Sequence, residues 1–300
     1  MIYTENCLVC GSSRFREKYP STFASERWQE AVEFFLTSRR RATHGRIVEC
    51  LHCGFVFTDP QFTLKEYALI YANVPVFSGD EAAREARHRR LSREVRRFAG
   101  GGKLLDLGCG DGKFIANIHR DFQAQGIDIG PAKEMSAGGG PVIHHGDLIE
   151  VISSRADDWA NGFDIITAWD ILEHLPRPGE LICALRRVIS PGGHLLCTLP
   201  DISSPAARLS GDKWNCLLLE HLWYFNPDTL RKFMSDRGFE LISVKSFPFA
   251  TNPFTFIERL GQTFDIGFRF PKRCLPGSLV FHLPIGLMLA VFRPANPDSI

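Results

Sequence analysis

Between Lys103 and Leu199 short apolar runs alternate with stretches of helical periodicity. The runs "KLLDL", "AQGID", "PVIHH", "FDIITAW" and "HLLCTLP" read as strands, and a helical stretch follows most of them. That alternation predicts an α/β fold built on a mostly parallel, doubly wound sheet. Upstream, apolar positions recur at helical spacing over Ser25 to Leu36 and Leu64 to Ala72, and a basic helix is expected over Glu81 to Ala99. After Leu199 come an irregular segment with Trp214 and "EHLWYF", a helix near Pro227 to Arg237, the strand "FELISVKSF", a Phe-rich insert at about 247–284 and a last strand near "IGLMLAVF". The pattern divides the chain into a cysteine-bearing module at 1–62, a helical linker at 63–100 and an α/β domain at 101–300.

The first of those strands ends in "LLDLGCGDGKF", three glycines spaced two apart. The spacing departs from the dinucleotide fingerprint, because Lys113 stands where G-x-G-x-x-G needs its third glycine. An acid, Asp106, ends the strand ahead of Gly108. A carboxylate there repels a pyrophosphate and attracts a cation. S-adenosylmethionine, with its amine and sulfonium, fits that requirement, and Gly108, Gly110 and Gly112 let the backbone approach its methionine part closely. Asp128 in "GIDIG" stands about where such sheets grip a ribose diol, and Asp147 in "HHGDL" can accept a bond from an adenine amino group.

These segments, with "FDIITAWDILEHL" and "VISPGGHLLCTLP" following in order, resemble the successive motifs of class I S-adenosylmethionine-dependent methyltransferases. The resemblance implies a Rossmann-like, seven-stranded sheet. It also implies that Asp106, Gly108, Cys109 and Gly110 line the methionine part, Asp128 and Ile129 the ribose and adenine, and Asp147 and Leu148 the adenine edge. Trp169 and Asp170 would border the methyl group. Cys109 itself reads as a small filler of the turn rather than a nucleophile.

"CLVCG" and "CLHCG" place Cys7, Cys10, Cys50 and Cys53 in two C-x-x-C knuckles, each followed by a glycine. Four thiolates suit tetrahedral zinc, and a set that leaves no open position suits a structural ion. A relict or redox pair is the alternative. A double knuckle ahead of this kind of domain resembles bacterial methyltransferases acting on sugars, glycans and secondary metabolites, including sugar C-methyltransferases. Those carry a further carboxy-terminal domain for which this chain leaves no room.

Methyl transfer asks the protein for alignment and for a base. Two Glu-His pairs are candidates: Glu173-His174 after the fourth strand and Glu220-His221 after the fifth. "EHLWYF" resembles the Glu-His segment of the sugar methyltransferases, which favours His221 as base with Glu220 orienting it. The alternative for His221 is packing beneath Trp223 and Tyr224, and for His174 a wall of the cofactor site.

A hydrophobic fraction of 44% over 300 residues supports a sizeable core, and a net charge of +1 names no partner. The first twenty residues lack a basic start and apolar run, so a cytoplasmic protein is expected, its nine cysteines reduced or metal-bound. Seven arginines crowd Glu81 to Ala99, and Arg39 to Arg41 add to them. A solvated helix face is the common explanation and a phosphate-binding surface the rival. Base-methylating enzymes often carry Asn or Asp, Pro, Pro and an aromatic after the fourth strand, where this chain has "WDILEH". Prolines and glycines interrupt the Phe-rich insert, which reads as an acceptor-site lid, with peripheral membrane contact as the alternative. The expectation is methyl transfer to an oxygen, or second a carbon, of a small polyhydroxylated acceptor such as a sugar or glycan. RNA modification and cofactor binding without catalysis are the competing readings.

Overall fold

The computed structural model describes residues 1–35, 43–73, 81–130, 141–253 and 279–296. Most of the Phe-rich insert and Arg39 to Arg41 lie outside the described residues. The chain forms two compact units that interleave along the sequence: 1–87, 200–229 and 246–287 make the first, and 88–199, 230–245 and 288–300 the second.

The first unit carries a four-stranded sheet in the order β1-β2-β3-β9, with β1 Phe15–Tyr19, β2 Ile47–Cys50, β3 Val56–Thr58 and β9 Trp223–Tyr224, each pair antiparallel. Aromatic rings hold the distant β9 against β3. Phe55 lies 4.9 Å from Phe225 and 6.1 Å from Trp223, and all three are buried. Thr58 completes the join, because its amide donates to the Leu222 carbonyl and its hydroxyl to the His221 carbonyl, both at 2.8 Å. The helix expected over Ser25 to Leu36 is shorter within the described residues. Only α1, Trp28–Ala31, is helical, and its N-cap residue, Arg27, supplies no side-chain cap. In α2, Leu64–Asn73, Thr63 and Glu66 form a reciprocal cap: the Thr63 amide donates to Glu66 and the Glu66 amide to Thr63 Oγ1. The segment after Leu199 is more ordered than an irregular reading allows. It contains α7, Pro205–Ser210, capped by the Ser204 hydroxyl. Strands β11, Phe249–Thr251, and β12, Phe281–Leu283, pair antiparallel across the insert.

The second unit is a seven-stranded sheet in the order β10-β13-β8-β7-β4-β5-β6. Its strands are β4 Gly102–Leu107, β5 Phe122–Asp128, β6 Val142–His145, β7 Phe163–Trp169, β8 Ile189–Pro200, β10 Phe239–Ser246 and β13 Leu287–Pro294. The run from β8 through β7, β4 and β5 to β6 is parallel. Helix α3, Glu81–Val95, precedes the sheet; α4 Lys113–Ile118, α5 Leu148–Ser154, α6 Pro178–Val188 and α8 Pro227–Ser235 alternate with its strands. Strand β8 starts five residues ahead of "HLLCTLP". Phe163 pairs with Ile189 and Ile165 with His194, so Ser190 to Gly193 bulge out of the ladder and the strand resumes beyond them. The central strands are buried on both faces, as Leu104, Leu105, Ile165, Ile166, Leu195 and Leu196 show. Strand order reverses between β4 and β7, and the crevice beyond that switch point is where such sheets bind ligands.

Candidate functional site

The glycine turn leaves β4 at this switch point. Gly108, Gly110 and Gly112 have φ of +65°, +56° and +70°, so a backbone of alternating left-handed residues makes the turn, which only glycine adopts without strain. Asp128, at the end of β5, clamps it: Oδ2 accepts the Gly110 amide and Oδ1 the Gly130 amide, both at 2.7 Å. Cys109 is buried and packs against Gly126, which has no side chain to obstruct it. Burial first, then the charges on Asp106 and Asp128, push its thiol far up, away from the thiolate form.

Asp106 is 2% exposed and accepts the Thr167 hydroxyl at 2.6 Å. Burial raises its carboxyl to about 8; the Thr167 hydroxyl opposes that shift and the Asp128 charge adds to it. At the end of β7, Trp169 stands edge-on to Phe114 at 5.4 Å, and Phe114 contacts His88 in turn. Asp170 follows with φ of +55°, an uncommon conformation for aspartate, and accepts the Thr198 hydroxyl at 2.7 Å. Asp147 caps α5 through Oδ1, which takes the amides of Ile149 and Glu150.

Four observations fit this crevice to a ligand with a cationic end and an adenosine. Asp106 is a buried acid, Ile129 is 56% exposed beside Asp128, and among the described residues Gly110 opens onto empty space where a Cβ would stand and the buried Trp169 Nε1 has no hydrogen-bond partner. The raised Asp106 carboxyl also has a cost in the ligand-free protein. An unfolded aspartate titrates near about 3.9, so between there and about 8 the folded state keeps a proton that the unfolded state has lost. Stability should therefore fall as pH rises through that window. Thermal melts at pH 5 and pH 8 should show a smaller drop in Asp106→Asn; an undiminished drop would refute this assignment.

The Glu-His segment lies in the first unit. His221 is 7% exposed, and Nδ1 lies 2.8 Å from the Cys216 carbonyl. A carbonyl only accepts, so Nδ1 carries the hydrogen and the neutral ring keeps its lone pair on Nε2. Glu220, next to it, is also buried, and the Tyr224 ring stands edge-on to His221 at 6.2 Å. His174 is half-buried and Glu173 buried in the short 3₁₀ turn after β7.

The four knuckle cysteines are brought together in the same unit. Gly11 and Gly54 both have φ of +73°, and each amide donates at 2.9 Å to the carbonyl of the first cysteine in its knuckle. The sulfurs of Cys7 and Cys53, and of Cys10 and Cys50, lie 3.6 Å apart, and all four lie within 4.8 Å of one another. Tetrahedral zinc with bonds of about 2.3 Å needs sulfurs about 3.8 Å apart. The cluster is capable of coordinating a metal.

A structure of 1,6-didemethyltoxoflavin-N1-methyltransferase from Burkholderia thailandensis, with bound 1,6-didemethyltoxoflavin and S-adenosylhomocysteine, matches with a TM-score of 0.53. The match covers 82% of this chain and 98% of that one at 15% identity, a likeness of fold. Fold and motifs define a class I S-adenosylmethionine-dependent methyltransferase. A family model described as "Methyltransferase domain" matches residues 83–244, more than half of the chain, and the chain belongs to that family. Among curated relatives, a ubiquinone biosynthesis O-methyltransferase of Marinobacter nauticus is 26% identical over 187 residues, covering 58% of this chain and 77% of the relative. One from Photorhabdus laumondii is 31% identical over 115 residues, covering 35% and 47%. Among the described residues no helix is long and apolar enough to cross a membrane.

Thr167 was not among the residues the motifs single out. Its signal is a lone hydroxyl in an otherwise apolar stretch of β7, in register with Asp106.

Proposed function

We propose that this methyltransferase acts on an oxygen of a small polyhydroxylated acceptor, a sugar, glycan or glycosylated metabolite, with His221 as base. The observation that carries the reading is the Nδ1–H bond from buried His221 to the Cys216 carbonyl, which makes Nε2 the basic nitrogen of the ring in its neutral form, next in sequence to buried Glu220. The cofactor, when bound, supplies an electrophilic methyl group. Asp106, Gly108, Cys109, Gly110 and Gly112 would hold its methionine part, Asp128 and Ile129 its ribose and adenine, and Asp147 and Leu148 the adenine edge. With Oδ1 of Asp147 spent on the α5 cap, the adenine amino group falls to Oδ2. Trp169 and Asp170 would border the methyl group. His221 takes the acceptor's proton, and Glu220 orients the ring or holds a neighbouring hydroxyl.

The relatives named as O-methyltransferases support oxygen over carbon as the accepting atom. Arg84, Arg96 and Arg97, three of the seven arginines in and just after the basic helix, pair with Glu81, Asp121 and Glu94 at 2.6–2.9 Å, which supports the solvated-face reading of that stretch. The cysteine cluster holds structural zinc in this reading. Transfer of labelled methyl should be tested against separate pools of nucleotide sugars, glycans, lipids and RNA. Label is expected in a sugar-bearing pool; label confined to RNA or lipid would overturn the proposal.

A further inference from the structure

We propose that Asp106 releases a proton when the cofactor binds, and that Thr167 is the positioning residue that lets it do so. Asp106 and Thr167 face each other across the β4–β7 ladder, and both are buried. The Thr167 hydroxyl lies between two acceptors, Asp106 Oδ1 at 2.6 Å and the Leu105 carbonyl at 3.5 Å. Among the described residues, none of the groups that act on the carboxyl is a cation. From β5 comes the like charge of Asp128, and from the turn the buried Cys109 thiol. Asp111, also on the turn, acts on that thiol and holds Lys113 of α4 at 3.7 Å.

A buried acid with acids for neighbours keeps its proton at neutral pH, and for Asp106 burial places the midpoint near about 8. In that state the acid hydroxyl donates to Thr167 Oγ1, and the Thr167 hydroxyl turns to Leu105. To hold a cofactor ammonium, Asp106 must become a carboxylate. Its proton passes to the solvent buffer, and Thr167 swings its hydrogen onto Oδ1 across the same 2.6 Å separation. Threonine serves both states because a hydroxyl donates and accepts at once. Valine has the same shape and serves neither.

The linkage is read without turnover, by titration calorimetry with S-adenosylhomocysteine at pH 6.5 in buffers of different ionisation enthalpy. Wild type should release close to one proton per cofactor bound, and affinity should rise about tenfold per pH unit between pH 5.5 and 7. 5′-Methylthioadenosine lacks the amino-acid part and should bind with no release. Thr167→Val should weaken S-adenosylhomocysteine binding about tenfold at pH 6.5, relative to wild type at the same pH. That ratio should shrink toward one by pH 9, where Asp106 is ionised in the free protein as well. Thr167→Ser should behave as wild type. Binding by wild type without proton release overturns the inference while leaving the cofactor assignment standing, and it does so even if the valine variant fails to fold. A Thr167→Val deficit equal at both pH values makes Thr167 a packing residue and overturns its part.

Discussion

His221→Ala is expected to lower turnover by about 10²- to 10⁴-fold while cofactor affinity stays within about twofold of wild type. The size follows from the loss of general-base work. The selectivity follows from the division of roles, since His221 is assigned the acceptor's proton and the cofactor is assigned to the glycine turn, Asp128 and Asp147. The ring is held by the Cys216 carbonyl on one side and by the edge contact with Tyr224 on another, so its replacement removes a base already fixed in one tautomer. In wild type the rate should climb with pH as the imidazole loses its proton, and that limb should disappear in the variant. His174→Ala is the paired control. As a wall of the cofactor site it should disturb S-adenosylmethionine binding more than the pH profile. If His174→Ala loses the limb while His221→Ala keeps both limb and rate, the base belongs to the turn after β7.

Much of the second unit was legible because its signals are local. "FDIITAW" coincides with β7 residue for residue, bounded by Gly162 before it and left-handed Asp170 after it. The glycine turn and the strand end at Asp128 were legible as structure, although the sequence pattern did not reveal that Asp128 clamps the turn through the Gly110 amide. "SPGG" has the composition of a turn, and it hides where β8 begins. Its four residues do leave the ladder, but Ile189 before them already pairs with Phe163. Helix α7 left a readable mark in Ser204 followed by Pro205 at the first helical position. The pairing of β3 with β9 left none, because a two-residue strand more than 160 positions from its partner has no local period to display. For the same reason a linear division of the chain does not show that residues 200–229 pack with the cysteine-bearing segment. Thr167 was hidden differently: its role rests on register with Asp106 across parallel strands.

That packing gives the cysteine cluster a reach beyond its own loops. The purified protein is expected to carry about one zinc per chain, held by Cys7, Cys10, Cys50 and Cys53. Without a cation the cluster is poorly balanced. Burial pushes the Cys7 thiol far up and that of Cys53 to about 11. At Cys50 burial also pushes upward, but hydrogen bonds from the Cys53 and His52 amides and neighbouring thiols outweigh it and draw it down to about 7. Four thiolates within 4.8 Å of one another, two pairs of them 3.6 Å apart, need a divalent ion to offset their repulsion, and structural zinc contributes about 10–16 kcal/mol of apparent binding energy to folding. Cys50 is also the last residue of β2, which pairs with β3, which pairs with β9 beside His221. Cys50→Ser should therefore lose the zinc, melt the first unit before the second and abolish turnover, while S-adenosylhomocysteine still binds to the second unit within a few-fold of wild-type affinity. Metal analysis, calorimetric melting and cofactor titration on one preparation read all three effects. A zinc-free wild type that melts in one step with four freely reactive thiols would remove the structural ion from this account, and a zinc-free Cys50→Ser protein with full turnover would remove the path from the cluster to His221.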